Sequence, residues 1–225
     1  MHWLTQQPII TKADIKKRLG CNDEYAYTVL NRLKEKNKLI QIHKGVYTAI
    51  EDIHLIATNI HVPSYISFWS ASQLKGYTEQ ILLSIQVATT KQYKTITHNQ
   101  YKIEFYQLPK KAFFGYTKQQ TTTGSFFIAE DEKLIIDCLL RENTIGNTQE
   151  IISIIKQANI NKQKMITYLN RINNKTLNKK AGFLLEKYAN TDLSEHITYK
   201  DSNYAKIGLN EQIINAKWRI KHDLT

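Results

Sequence analysis

Cysteine is scarce in this chain, and long apolar runs are absent. The two cysteines among 225 residues, Cys21 and Cys138, lie far apart and form no ligand-like spacing. They read as reduced thiols of a cytoplasmic protein, not as a disulfide framework or a metal site. No stretch approaches the ~18 consecutive apolar residues that a transmembrane helix needs. Met1-His2-Trp3-Leu4 lacks the basic start and apolar core of a secretory signal.

Enzyme signatures are missing as well. The sequence contains no phosphate-binding loop, no dinucleotide glycine fingerprint, no His-Glu-x-x-His and no Gly-x-Ser-x-Gly. His2, His43, His54, His61, His98, His196 and His222 do not fall at metal-ligand spacing. Gly124-Ser125 precedes Glu130, Asp131 and Glu132, but the alternating Asp-x-Asp of a nucleotidyltransferase strand is lacking. Those three carboxylates read as the acidic first turn of a helix. Lys133 and Asp137, four residues apart, read as a helix-surface ion pair. The expectation is a non-enzyme with no catalytic residue, no cofactor and no metal.

What the chain does have is apolar content and positive charge. Hydrophobic residues make up 42% and aromatics 10%, enough to build cores. The length suits one small domain plus one medium one. The net charge is +11, unevenly spread. Residues 1–50 carry nine Lys/Arg against four Asp/Glu, residues 51–144 nine of each, and residues 145–225 thirteen against seven. Basic ends draw polyanions without choosing among DNA, RNA and acidic proteins.

The N-terminal pattern is sharper. Thr11 caps a short helix in which Ala13, Ile15 and Leu19 turn inward, and Gly20 ends it. Asn22 caps a second helix with Asp23 and Glu24 in its first turn. Ala26, Val29, Leu30 and Leu33 recur at helical spacing to about Lys36. A strand over Leu39 to Ile42, the turn His43-Lys44-Gly45 and a return strand over Val46-Tyr47-Thr48 complete the order of a winged helix-turn-helix. A step of about 100° per residue puts Glu24, Tyr27, Thr28, Asn31, Arg32 and Glu35 on the outer side of the second helix. Tyr27, Thr28, Asn31 and Arg32 are the candidates for base edges: arginine suits guanine, and asparagine suits adenine. Lys16, Lys17, Lys34, His43 and Lys44 are candidates for phosphates, which position a protein without reading sequence. The competing reading is a winged helix used for protein contact.

From Ile53 to Leu140 the pattern is mixed. A helix over Ile53 to Ile60 is broken by Pro63, and a strand at Tyr65-Ile66-Ser67 precedes a helix over Phe68 to Leu74. Strands follow over Leu83 to Ala88, Lys94 to Thr97 and Tyr101 to Leu108, with Phe113-Phe114 and Phe126 to Ala129 as further edges. Glu130 to Leu140 is helical. Helices over Gln149 to Ala158, Lys162 to Ile172 and Leu177 to Tyr188 follow, then a half-buried strand over Asn215 to His222. No internal repeat or low-complexity linker is present. The fold class is α+β: a winged helix-turn-helix at 1–50, then a mixed α/β domain at 51–225 with a helical C-terminal region and a possible subdivision near 145.

Several of these segments together resemble a known family. Leu39-Ile40, His43-Lys44-Gly45 and Val46-Tyr47 are similar to the winged helix of the AbiEi-like antitoxins of bacterial and archaeal abortive-infection systems. Tyr65-Ile66-Ser67 through Ser70-Ala71, Leu74 and Gly76-Tyr77-Thr78-Glu79-Gln80, with Val87-Ala88-Thr89-Thr90, resembles that family's next block. Ile128-Ala129, Glu132-Lys133 and Asp137 resemble its Glu-Lys-x-x-x-Asp helix. Ala181-Gly182-Phe183-Leu184-Leu185-Glu186 and Lys217-Trp218-Arg219 resemble its C-terminal signatures. Leu134 departs from the family's usual small residue, and Glu130-Asp131 from its Ser-Pro-like pair. The resemblance implies an antitoxin of a type IV toxin-antitoxin system. Its winged helix would bind double-stranded DNA at its own promoter and repress the operon. Its larger domain would counteract a nucleotidyltransferase-type toxin, without need of a stable complex. The residues leave two other readings open: a stand-alone DNA-binding regulator whose second domain senses a ligand or dimerises, and an enzyme acting on nucleic acid.

Overall fold

The computed structural model describes residues 2–142, 148–208 and 213–224; the expected subdivision near 145 lies outside them. The chain is mixed α+β, with eight α-helices and three sheets among the described residues. A 3-10 turn over His2–Gln6 leads into β1 (Ile10–Thr11), α1 (Lys12–Leu19), α2 (Asp23–Glu35), β2 (Ile40–His43) and β3 (Val46–Thr48). Next come α3 (Ile53–Ile60), β4 (Ser64–Ile66), α4 (Phe68–Leu74), β5 (Ser84–Thr89), β6 (Ile96–His98), β7 (Tyr101–Gln107), β8 (Tyr116–Gln120) and β9 (Ser125–Ala129). The remainder is α5 (Asp131–Leu140), α6 (Thr148–Gln157), α7 (Lys162–Ile172), α8 (Lys175–Ala189), β10 (Ala205–Ile207), β11 (Ile213–Asn215) and β12 (Ile220–His222).

The chain divides into two compact units. One unit holds residues 1–66, 83–108 and 118–128; the other holds 67–82, 109–117 and 129–225. In the first unit, β3 pairs antiparallel with both β1 and β2, so Tyr47 stands opposite Ile10 on one side and Gln41 on the other. A core of Leu4, Ile10, Ile15, Ala26, Leu30, Leu33, Leu39 and Tyr47 fills this part. Of the three α1 residues expected inside, only Ile15 is buried; Leu19 is half exposed and Ala13 faces solvent. An eight-residue helix packed on α2 and β1 hides a narrower stripe than the sequence pattern implied.

The same unit carries a six-stranded sheet in the order β6-β7-β5-β4-β9-β8. β5 and β7 run parallel, Val87 opposite Phe105, while β6 returns antiparallel on the outer side of β7. β5 is buried along nearly its whole length and β7 alternates, hiding Ile103 and Phe105. α3 packs on β4 and β5, capped by Asp52, whose carboxylate accepts from the N–H groups of His54 and Leu55.

In the second unit α5 is enclosed by α4, α6, α7 and α8, and every residue from Glu132 to Leu139 is buried. Lys133 and Asp137 therefore do not form the expected surface pair. Both side chains are fully buried and bonded to each other, and Asp137 also accepts from the Ser67 hydroxyl at 2.7 Å. Burial pulls the Lys133 pKa below the ordinary lysine value, against the charge of Asp137. A four-residue spacing cannot reveal that helices cover both sides of this one.

Two strand expectations are corrected. Phe113-Phe114 follows a 3-10 turn over Lys110–Ala112 and forms no edge; the strand starts at Tyr116. Asn215 to His222 is not one strand. β11 ends at Asn215, whose side chain accepts from the Trp218 N–H at 2.9 Å, and Arg219 takes φ 52° before β12 begins. Trp218 is nevertheless fully buried, against α8. A Cβ on Gly182 would overlap its ring, so the close approach requires glycine there.

Candidate nucleic-acid interface

Local chemistry sets the two N-terminal helices. The Asp14 carboxylate accepts from both the N–H and the hydroxyl of Thr11, at 2.8 and 2.7 Å, and starts α1. Gly20 stops it at φ 63°, a left-handed position that glycine fills without a Cβ penalty. Asn22 starts α2 by accepting from the Tyr25 N–H at 2.9 Å. Ala26, Leu30 and Leu33 face inward at 0, 1 and 4% exposure, which fixes the rotation of α2.

That rotation brings Tyr27, Thr28, Asn31 and Arg32 together on the exposed side, beside Glu24 and Glu35. Asn31 and Arg32 make no side-chain hydrogen bond or ion pair among the described residues. Thr28 is exposed and donates its hydroxyl to the Glu24 carbonyl at 3.0 Å. The ring of Tyr27 lies 5.1 Å below the Lys12 ammonium.

The cationic candidates separate into occupied and unoccupied groups. Lys16 and Lys12 both bind the carboxylate of Asp23, at the first turn of α2. Those bonds, Lys12's the larger, pull Asp23 down to about 2 and raise Lys12. Lys34 donates to the Gln41 side chain at 3.1 Å, tying α2 to β2. Lys17 is exposed and lines a groove with Trp3, Gln6 and Arg18. Lys44 is exposed and unpaired among the described residues. His43 is half-buried: its Nε2 has no partner, and its ring lies 6.3 Å from that of His61.

Two residues of this surface escaped the sequence reading. Tyr25 is 52% exposed in the first turn of α2, and its spacing from Thr28 and Arg32 (three and seven residues) was the signal that places all three on one face. Lys12 joins the surface through Asp23 and Tyr27, which lie on another helix, so no local pattern reveals it.

The acidic residues of α5 have structural partners. Asp131 accepts from Lys75 at 2.7 Å, Tyr77 at 2.9 Å and the Asn159 N–H at 3.2 Å. Glu132 accepts from the Asn161 N–H at 2.7 Å, and Glu130 from the Tyr168 hydroxyl. Burial and Asp131 push the Tyr77 phenol up to about 12.

Residues 2–50 match the family model described as a transcriptional regulator, AbiEi antitoxin. The AbiEi match thus covers β1 to β3 and the whole exposed face of α2, and it bears out the family resemblance of that segment. No curated protein matches the chain. Among solved structures, the crystal structure of the RV2827C protein from Mycobacterium tuberculosis is similar over 99% of this chain and 89% of that one. Its TM-score is 0.66 at 13% identity, a likeness of fold. No helix among the described residues is long and apolar enough to cross a membrane.

Proposed function

We propose that residues 1–50 form a winged helix-turn-helix that binds double-stranded DNA, and that the chain is a transcriptional regulator and antitoxin of the AbiEi kind. One observation carries the reading: α2 anchors one stripe in its own apolar core and leaves Tyr27, Thr28, Asn31 and Arg32 free of it. This face lies within the segment that matches the regulator family. A helix so placed fits the major groove, where Arg32 suits guanine, Asn31 suits adenine, and the Thr28 methyl suits thymine. The duplex is the chain's own promoter, and the operon is repressed by the bound protein. Lys17 and Lys44 meet phosphates directly; Lys16 and Lys34 do so by exchanging Asp23 and Gln41 for the backbone. The rest of the chain opposes a nucleotidyltransferase-type toxin, without chemistry, cofactor or metal of its own.

The DNA step is tested by titrating the full chain against the duplex upstream of its gene and a scrambled duplex. Preference for the first, lost on Asn31→Ala with Arg32→Ala, is expected; equal affinity for both duplexes by the parent would remove the regulatory reading. The antitoxin step is tested by co-expression with a nucleotidyltransferase encoded beside it. Growth arrest that the chain does not relieve would remove that part alone.

A further inference from the structure

Ring contacts link the β2–β3 hairpin to residues beyond the segment that the family model covers. The side chain of His43, at the end of β2, faces His61, and His61 stacks on Tyr93 with ring centres 3.7 Å apart and planes within 7°. Phe105 meets both rings edge-on, His61 at 5.0 Å and Tyr93 at 5.8 Å. β2 also lies beside β6. This ring stack seats the segment between β5 and β6 next to the hairpin. The start of that segment is pinned as well: Thr89 donates its hydroxyl to the Lys91 carbonyl at 2.7 Å, and Gln107 donates to the Thr90 carbonyl at 3.2 Å.

The charge on this segment has one sign. Residues 90–103 contain Lys91, Lys94 and Lys102 and no Asp or Glu. Lys91 and Lys94 flank Tyr93, are exposed, and make no side-chain hydrogen bond or ion pair among the described residues. They differ in this from Lys12 and Lys16, which Asp23 holds. Lys44 next to His43 is likewise exposed and unpaired. Unpaired cations on either side of an ordered ring stack match a polyanion with closely spaced charges.

We propose that the surface bearing Lys44 continues through the His43–His61–Tyr93 stack to Lys91 and Lys94, and that these two lysines bind phosphates of the same duplex. The inference rests on the DNA-binding reading above and adds contacts outside residues 2–50. Phosphate contacts carry no sequence information, so Lys91 and Lys94 add affinity and orientation, not discrimination.

The test is a salt titration of the full chain against its upstream duplex and a scrambled duplex of equal length. In the Lys91→Gln/Lys94→Gln variant, the slope of log affinity against log salt becomes shallower by about 1.8, since each phosphate contact contributes about 0.9. The ratio between the two duplexes stays at the parental value, and each single variant gives about half the change. Lys162→Gln/Lys175→Gln removes the same charge from α7 and α8 and leaves the slope unchanged. A double variant with the parental slope, or a control that shifts it equally, overturns this proposal alone. A parent that binds neither duplex overturns it together with the DNA-binding reading.

Discussion

Charge is arranged in opposite ways in the two regions that matter most. Around α1, α2 and the β2–β3 hairpin the inside is apolar, from Leu4 to Tyr47, and the charges lie outside. In the second unit charges lie inside. Glu132, Lys133, Asp137 and Lys179 are each 2% exposed or less, and each has a partner. Lys179, for example, donates to Asp201 and to the Asn203 carbonyl. Taking an ion from water costs several kcal/mol, so buried charges persist where paired and hydrogen-bonded, and they are then committed to the architecture. The exposed face of α2, with Asn31 and Arg32 unpartnered among the described residues, is where charge is free to meet something else.

The comparison breaks first, and most visibly, at the buried pair. Asp137→Ala leaves the Lys133 ammonium without its carboxylate and should cost about 3–5 kcal/mol in denaturant unfolding. Replacing both, Lys133→Met with Asp137→Leu, should recover most of that loss. A single variant as stable as the parent would mean that the pair does not hold α5. Next comes Gly182→Ala, whose Cβ collides with Trp218; overpacking of this kind costs about 1–3 kcal/mol. Calorimetry showing an unshifted melting temperature would count against the close approach of α8 and Trp218.

The outer face should behave in the reverse way. Asn31→Ala and Arg32→Ala should each weaken binding to the upstream duplex by about 1–3 kcal/mol while stability stays within about 0.5 kcal/mol of the parent. A melting temperature that falls with affinity would move these residues into the structural class.

The smallest effect is electrostatic. Hydrogen bonds from Lys217, at 2.7 Å, and from the Ser194 N–H, at 2.8 Å, lower the Asp192 carboxyl from 3.8 to about 2. A carboxyl depressed in the folded state stabilises above its unfolded pKa and loses that contribution as pH falls through its folded value. Stability should therefore decline between about pH 4 and 2, and Asp192→Asn should decline less over that window. Parallel unfolding curves of the two proteins against pH would show that the carboxyl is not depressed.

The parts legible in the sequence were those set by local rules. Asn22 and Gly20 bound α2 and α1, and the phase of Ala26, Leu30 and Leu33 put Thr28, Asn31 and Arg32 outside. α3 runs over the residues its pattern implied, Ile53–Ile60. What tertiary contact decides was not legible. The parallel pairing of β5 with β7 skips the strand between them in sequence, and nothing in either strand names its partner. Alternation around Trp218 suggested a strand because a buried tryptophan beside charged neighbours reads alike in a strand or a turn; the Asn215 side chain made it a turn. Lys133 and Asp137 looked like surface residues because charge implies exposure unless a partner is known, and the covering helices come from elsewhere in the chain. At the candidate interface the outward placement of Tyr27, Thr28, Asn31 and Arg32 was legible, whereas the engagement of Lys12 and Lys16 by Asp23 links two helices and was not.

The account is tested most directly by fluorescence anisotropy of a labelled upstream duplex with the full chain and its Asn31→Ala/Arg32→Ala variant, at one fixed salt concentration. The parent is expected to prefer this duplex to a scrambled one, and the folded variant to lose the preference while keeping weak binding to both. A variant that discriminates between the duplexes as well as the parent does would contradict it.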